Sequence, residues 1–376
     1  MPYVLRITYR VAFYLLCKRK ICNNLFPKEK TMPEKIVDLR SDTVTLPTQE
    51  MKEAMMEAAL GDDGYGEDAT VNRLQELAAE KLGMEAGIYV PSGTMGNACA
   101  LFAHTRSGDD VFFEERAHLF AGARGEFAVL NGVRPHPMQA EFGVIQPEQL
   151  DEIINSEDVS QPNLLCIENT HNGSGGSAWT PSEVEAISKA ARTHGLKVHM
   201  DGARIFNAVV AHGVDVKDYT QHIDSVMFCV SKGLSAPVGS LLCGSRSFID
   251  EADAVRKRLG GGMRQAGIIA AAGIVALEKM VDRLAEDHET ARLLCVGLEA
   301  IEGIKIQRPP TPTNFAMVNV EALGWCSESL IEKWKACGIL TNPRPPAGAR
   351  LVAHRHITPE DVTYVVDATR ELVKRG

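Results

Sequence analysis

Short apolar runs alternate with helix-forming segments between residues 87 and 243, and this alternation limits the folds open to the chain. The runs are GIYV (87–90), DVFF (110–113), LLCI (164–167), KVHM (197–200), DSVMFCV (224–230) and GSLLC (239–243). Apolar residues are nearly continuous in them, which is typical of strands buried on both faces of a sheet. Such strands, separated by helices, predict an α/β fold with a largely parallel sheet.

One of the intervening helices has clear signals at both ends. Thr180 is a good N-cap, Pro181 suits the first helical position, and Glu183 completes a capping box. Gly195 follows the last turn, where a left-handed residue commonly ends a helix. The sequence therefore predicts a helix over 181–194.

The chain beyond Gly262 has a different pattern and predicts a second, smaller domain. A long helical stretch is expected from Arg264 towards Leu294. Two strands and two helices are then predicted at 315–320, 349–354, 327–337 and 359–374. We predict a large domain over 32–285 and a small C-terminal α/β domain over 286–376.

The first 31 residues form a basic extension of a different composition. This segment contains seven Lys and Arg residues and a single acidic residue, so its net charge is +6, whereas the net charge of the whole chain is −9. Its longest uncharged apolar run, 11–17, is far shorter than the ~20 residues that span a bilayer. An acid-poor basic N-terminus also occurs in mitochondrial transit peptides, but those are usually rich in serine and this one has none. A cytoplasmic tail is the main interpretation, and mitochondrial import is the alternative.

Composition excludes several classes of protein. With 376 residues and 45% hydrophobic residues, the chain has the composition of a folded globular protein. Its negative net charge argues against nucleic-acid binding, which needs a basic face. The nine cysteines include no CxxC pair, and we predict no metal site and no membrane partner.

Three polar features follow predicted strands and point to one cofactor. Asp201 and Arg204 follow the strand at 197–200, and Lys232 lies just past the strand at 224–230. The apolar surroundings of a lysine just past a buried strand favour its neutral, nucleophilic amine, which can form a Schiff base. Gly93 and Thr94 lie between a strand and a helix, where backbone N–H groups can bind a phosphate. An amine, an acid and an anion site together fit pyridoxal 5′-phosphate.

A second glycine-rich segment, GSGGSA at 173–178, formally matches a dinucleotide-binding fingerprint. In such a site the helix must begin at the glycines so that its N-terminus meets the pyrophosphate. Here the helix is predicted to begin only after Thr180. A plain glycine loop is the better interpretation, with a dehydrogenase as the alternative.

Eight strings, in order, resemble those of the L-threonine aldolases, which are fold type I pyridoxal-phosphate enzymes. They are DLRSDTVT (38–45), GDDGYGED (61–68), VPSGTMGN (90–97), IENTHN (167–172), VHMDGARIFNA (198–208), DSVMFCVSKGLSAPVGS (224–240), LGGGMRQAG (259–267) and RLVAHRHIT (350–358). The resemblance runs from about residue 36 to the C-terminus. It implies an aspartate aminotransferase-like large domain and a smaller C-terminal domain.

The resemblance also implies roles at the cofactor. Lys232 resembles the lysine that bonds to the cofactor aldehyde, and Asp201 the acid at the ring nitrogen. Gly93 and Thr94 resemble the phosphate site. His118, which follows the strand at 110–113, resembles a histidine that stacks on the ring.

Further residues resemble the family's substrate-binding groups. Ser41, Arg204 and Arg350 resemble the binders of the substrate carboxylate, and Arg204 also resembles the residue that lies next to the phenolic oxygen of the cofactor in the family. A guanidinium suits this role because it matches a carboxylate in bidentate geometry.

The family's quaternary structure is also implied. Tyr65, Lys257 and Arg264 resemble residues that reach the substrate and cofactor of a neighbouring subunit. The resemblance therefore implies a homotetramer, a dimer of dimers with sites shared across the dimer interface.

The implied activity is retro-aldol cleavage of L-threonine or L-allo-threonine to glycine and acetaldehyde, which would place the protein in threonine breakdown. The β-hydroxyl proton would go to His118, to His136, which resembles the family's second histidine, or to a held water. The rival is another fold type I activity: a β-eliminating lyase, a serine hydroxymethyltransferase-like enzyme or an aminotransferase.

Overall fold

The computed structural model of this chain describes residues 35–121, 131–155 and 159–375. The predicted basic extension over 1–31 lies outside the described residues. Of the helices in these ranges, none has the length and hydrophobicity to cross a bilayer.

Strands form a large sheet and two smaller ones within the described ranges. They are β1 (Val37–Asp38), β2 (Ala86–Val90), β3 (Asp110–Glu114), β4 (Arg134–Met138), β5 (Pro162–Glu168), β6 (Lys197–Asp201), β7 (Ser225–Cys229), β8 (Ser240–Gly244), β9 (Lys305–Gln307), β10 (Phe315–Asn319), β11 (Ile339–Leu340), β12 (Asn342–Arg344) and β13 (Gly348–Val352). Each of the six apolar runs predicted as strands overlaps one of β2, β3 and β5–β8, and none extends more than one residue beyond its strand.

The large sheet has the strand order β2-β8-β7-β6-β5-β3-β4. Strands β3 to β7 run parallel, and only β8 is antiparallel to its neighbours β2 and β7. β3 and β7 are buried along their whole length, as continuous apolar runs require. The predicted, largely parallel α/β fold is confirmed.

Helices connect the strands and pack in the hydrophobic cores of the described chain. They are α1 (Gln49–Met56), α2 (Ala69–Leu82), α3 (Gly93–His104), α4 (His118–Ala121), α5 (Pro147–Ile154), α6 (Pro181–Thr193), α7 (Ile205–His212), α8 (Lys217–Thr220), α9 (Arg246–Arg258), α10 (Gly267–Lys279), α11 (Leu284–Glu299), α12 (Ser327–Ala336) and α13 (Pro359–Arg375). In α6 the Thr180 hydroxyl accepts the Glu183 N–H, and the Glu183 carboxylate accepts the Thr180 N–H, which is the predicted capping box.

The long helix predicted from Arg264 towards Leu294 is wrong as one element. The structure divides it into α10 and α11, with a turn at 280–283 between them. Met280, Val281 and Leu284 are all buried in the same core. Because these three side chains stay buried through the turn, the apolar pattern of the sequence continues across it and does not show where α10 ends.

A second hydrophobic core lies in the C-terminal part of the chain. An antiparallel sheet of order β12-β13-β10-β9 packs there with α12 and α13. β1 pairs with β11, so Val37 and Leu39 belong to this core although they lie near the start of the described chain. α11 joins the two cores, with Leu284 in the first and Leu294 in the second. The predicted boundary at residue 285 stays a prediction.

Candidate active site

The carboxyl ends of the parallel strands deliver polar residues to one edge of the large sheet. Glu168 ends β5 and Asp201 ends β6, and the two residues are register partners. Lys232 follows β7 by three residues. Arg204, Cys229 and Lys232 line one cavity. Ligands bind at this edge in open α/β sheets.

The start of α3 can bind an anion beside this cavity. Ser92 is the N-cap, and its hydroxyl accepts the Met95 N–H. The first N–H groups of an α-helix have no intrahelical partner, so those of Gly93 and Thr94 face outward. A Cβ on Gly93 would lie 2.8 Å from Cys229 Sγ. Only glycine lets this helix start come so close to the end of β7.

Asp201 is held in place by two donors. Its Oδ2 accepts a hydrogen bond from the Asn97 side-chain amide at 2.7 Å, and its Oδ1 accepts one from the Ala203 backbone N–H at 3.1 Å. The carboxylate is buried. Its orientation is therefore set by α3 on one side and by the turn after β6 on the other.

Arg204 forms a bidentate ion pair with Asp42. Its Nε and one terminal nitrogen lie 2.7 Å and 2.6 Å from the two carboxylate oxygens, and both side chains are buried. Burial alone would raise the pKa of Asp42, but Arg204 and Lys232 outweigh it and lower that pKa to about 2. Because Asp42 already occupies the guanidinium fork, Arg204 is less suited to a substrate carboxylate than the sequence predicts.

Arg350 lies near Arg204 but has no such partner. It forms no ion pair with an acidic side chain in the described ranges, and its buried Nε has no hydrogen-bond partner there. One terminal nitrogen donates to Asn172 Oδ1 at 2.8 Å. Burial and the charge of Arg204 lower the pKa of Arg350 to about 10. An arginine with an unneutralised charge is well suited to bind a carboxylate.

Glu168 holds two loops at the same edge. One of its oxygens accepts the backbone N–H of His118 at 2.6 Å, and the other accepts that of Asn172 at 2.7 Å. The turn that carries His118 is thereby tied to the loop that contacts Arg350. The Ser41 hydroxyl accepts the Thr43 N–H and so fixes the turn that contains Asp42.

His136 is not brought to this edge. It lies within β4, and its Nε2 is 2.8 Å from Asp110 Oδ1, at the amino end of β3. Its ring stacks on Phe112. The predicted role of His136 stays a prediction, and this location does not support it.

Tyr65, Lys257 and Arg264 lie at the surface rather than beside Lys232. Tyr65 is 81% exposed. Arg264 lies 3.6 Å from Asp62, and Lys257 lies 2.9 Å from Asp253. The glycine run before Arg264 packs near the start of α3, because a Cβ on Gly261 would meet Met95.

Asp42, Asn97 and Glu168 are site residues that the sequence did not predict. All three lie within the strings DLRSDTVT, VPSGTMGN and IENTHN. Their position in those strings was the available signal. Their partners are too distant in sequence for local patterns to identify.

Comparison with known proteins shows that this chain is an enzyme of the lyase class. The Beta-eliminating lyase family matches residues 38–321 of the chain. The chain is 42% identical to the low specificity L-threonine aldolase of Escherichia coli (strain K12), over 90% of this chain and 100% of that protein. It is 40% identical to low-specificity L-threonine aldolase 1 of Arabidopsis thaliana, over 89% and 96%. The chain belongs to the family of low-specificity L-threonine aldolases.

Solved structures agree on the fold. A Leishmania major threonine aldolase superposes with a TM-score of 0.77 at 19% identity, covering 89% of this chain and 99% of that one. A Listeria monocytogenes protein described as a putative L-allo-threonine aldolase gives 0.71 at 21% identity, over 89% and 95%. The predicted fold type I architecture is confirmed.

Proposed function

We propose that this protein cleaves L-threonine and L-allo-threonine to glycine and acetaldehyde with pyridoxal 5′-phosphate as cofactor. The observation that carries the proposal is the meeting of Lys232, Asp201 and the start of α3 at one sheet edge. The similarity to low-specificity L-threonine aldolases over nearly the whole chain supports this substrate class.

The residues at the edge fit this cofactor. The outward N–H groups at the start of α3 suit its phosphate, and the buried carboxylate of Asp201 suits its ring nitrogen. Lys232 supplies the amine that its aldehyde requires. When bound, pyridoxal phosphate supplies an aldehyde for amino groups and a ring that accepts electrons from a bond broken at Cα.

Side chains of this protein would bind and orient the substrate and accept its proton. Arg350 binds the substrate carboxylate and so fixes the rotation about Cα, which decides which bond is aligned for cleavage. Asp201 would hold the ring nitrogen of the bound cofactor in its protonated form. We assign the β-hydroxyl proton to His118 or to a bound water, because His136 is engaged with Asp110 at the amino ends of the strands.

A comparison of products tests the proposal. The purified protein is incubated with cofactor and L-threonine, L-allo-threonine or L-serine, and acetaldehyde, glycine, ammonia and keto acids are measured. Acetaldehyde and glycine in equal amounts are expected from both threonine isomers. Ammonia with a keto acid would instead identify a β-eliminating lyase, and a keto acid formed only with an amino-group acceptor would identify an aminotransferase.

Arg350→Lys is expected to raise KM for L-threonine about 10-fold or more, because an ammonium cannot replace the bidentate contact. A smaller fall in kcat is expected, since binding of the carboxylate is largely common to the ground state and the transition state. Steady-state kinetics measure both values. Arg370→Lys, at an exposed surface pair, is the control. An unchanged KM would remove Arg350 from carboxylate binding.

We also propose a homotetramer in which sites are shared across a dimer interface. Tyr65 and Arg264 are exposed and do not lie beside Lys232 of their own chain. Met56, Leu60 and Ile268 are further exposed apolar side chains. Gly267, next to Ile268, lies against the carbonyl group of Ala59, next to Leu60. Residues in this position can complete the site of a second copy.

Mixing two inactive variants tests the shared site. Lys232→Ala and Arg264→Ala chains are combined under conditions that allow subunit exchange. Hybrid dimers then contain one site with both lesions and one with neither, so activity is expected to rise well above the sum of the parents. If mass spectrometry shows exchange but activity stays at that sum, Arg264 acts within its own chain.

We propose a cytoplasmic location, because the basic extension lacks the serines typical of a transit peptide. A C-terminal fluorescent fusion is expected to be cytoplasmic with or without residues 1–31. Mitochondrial fluorescence that disappears on deletion of this segment would establish import instead.

A further inference from the structure

A chain of buried hydrogen bonds runs from Asp201 into the interior of the large core. Asp201 Oδ2 contacts the Asn97 amide at 2.7 Å, and Asn97 Oδ1 lies 3.1 Å from His199 Nε2. His199 Nδ1 lies 2.9 Å from Ser225 Oγ, and Ser225 Oγ lies 2.7 Å from His104 Nε2. The chain joins α3, β6 and β7 behind the proposed cofactor site.

The chemistry of the donors fixes the direction of every bond. An ionised Asp201 only accepts, so the Asn97 NH₂ faces it and the Asn97 oxygen faces His199. His199 must then donate from Nε2, which leaves Nδ1 as the acceptor for the Ser225 hydroxyl proton. The Ser225 oxygen accepts in turn from His104 Nε2. All four protons therefore point towards Asp201.

Burial keeps both histidines in the neutral form that this arrangement requires. His199 is completely buried, and burial lowers its pKa to about 4. Burial also lowers the pKa of His104 well below its usual range. The remaining ring nitrogen of His104, Nδ1, is buried and has no hydrogen-bond partner among the described residues, as expected if it carries no proton.

The far end of the chain is held by packing. The ring of His104 stacks on Phe248 of α9, with 4.2 Å between ring centroids. Ser225 is also completely buried. The side chains of this hydrogen-bond chain thus have little freedom to rotate. Their positions are set by one helix and two strands, α3, β6 and β7, rather than by a loop.

We propose that His104, Ser225 and His199 are positioning residues, which act through Asn97 to hold Asp201 charged and oriented towards its ligand. The inference rests on the proposed function, in which that ligand is the protonated ring nitrogen of pyridoxal phosphate. Donors aligned towards a carboxylate favour its charged form, and successive hydrogen bonds in a buried chain strengthen one another. None of the three residues needs to touch the cofactor.

Ser225→Ala removes the link between His199 and His104, and Ser188→Ala is the matched control. Ser188 is also completely buried, and within the part of the chain that the structure describes its hydroxyl has no hydrogen-bond partner. Loss of one link is expected to weaken binding of pyridoxal phosphate about 3- to 10-fold and to lower kcat by a similar factor. KM for L-threonine should change less than kcat, and the visible absorption spectrum of the bound cofactor should shift. Ser188→Ala should change none of these.

His104→Phe gives a second variant if Ser225→Ala does not fold, since it keeps an aromatic ring against Phe248 and removes the terminal donor. It is expected to change affinity and spectrum in the same direction. A lower unfolding temperature with wild-type cofactor affinity, kcat and spectrum would make the chain purely structural and overturn the proposal.

A measurement without cofactor or substrate separates this inference from the proposed function. In the ¹⁵N-histidine-labelled, cofactor-free protein, His199 should be neutral with its proton on Nε2, and its Nδ1 signal should shift in Ser225→Ala but not in Ser188→Ala. A charged His199, or a proton on its Nδ1, would overturn the proposed hydrogen-bond arrangement even if threonine is cleaved. If cofactor affinity and spectrum depend on Ser225 but no acetaldehyde forms, the proposed role of the hydrogen-bond chain is supported and the proposed reaction is wrong.

Discussion

Lys232→Ala is expected to lower kcat for acetaldehyde release by about 10³-fold or more, because it removes the amine that bonds to the cofactor aldehyde. Lys232 is the lysine that lines the cavity shared with Arg204 and Cys229 at the strand ends. The visible absorption of the lysine-bound cofactor should disappear as well. Both readouts use the purified protein with added pyridoxal phosphate.

Lys374→Ala serves as the control, because Lys374 is an exposed residue of α13 paired with Glu371. It should retain wild-type kcat and absorption. If Lys232→Ala keeps the absorption band and turnover, another amine binds the cofactor and the assignment of Lys232 is wrong.

Asp42→Asn is expected to reduce the free energy of unfolding by about 3–5 kcal/mol, the usual effect of removing one partner of a buried ion pair. The change leaves the Arg204 guanidinium buried and without its carboxylate, whereas the size of residue 42 is preserved. Urea unfolding of the cofactor-free protein measures the effect without involving catalysis. If the free energy of unfolding falls by less than about 1 kcal/mol, the Asp42–Arg204 pair contributes no more than an exposed surface ion pair.

Two further variants identify the cause of that loss. Asp367→Asn removes an acid from an exposed pair with Arg370 and should cost at most about 1 kcal/mol. The double change Asp42→Asn with Arg204→Met should recover part of the stability, because the uncompensated charge is gone. If the double variant is less stable than the single one, the loss arises from packing around residue 42 rather than from the isolated charge.

Elements with local signals were predictable from the sequence. The six apolar runs predicted strands because a buried parallel strand needs apolar side chains on both faces. The helix at 181–194 was equally local, since its cap, first proline and terminal glycine all lie within or beside the helix. The helix predicted over 264–294 failed because burial of Met280, Val281 and Leu284 against the core decided where the chain turns.

Site residues divide in the same way. Lys232 and Asp201 were found because each follows a recognisable strand, and parallel strands end at a common edge. The bidentate pair between Asp42 and Arg204 spans 162 residues, and no local pattern shows that Asp42 occupies that guanidinium. Arg350 became the better candidate for carboxylate binding only in the structure, where Arg204 is paired with Asp42 and Arg350 has no acidic partner in the described ranges.

The sequence by itself determined the α/β fold, the edge at which the site lies and the family to which the protein belongs. Tertiary structure alone decided the environment of each functional group: which arginine is neutralised, which histidine is paired with Asp110 away from the site, and which buried groups lie behind Asp201. Periodicity and short motifs depend on neighbours along the chain. The charge state and orientation of a buried side chain depend on neighbours in space, and here Asn97, His199 and Ser225 come together from α3, β6 and β7.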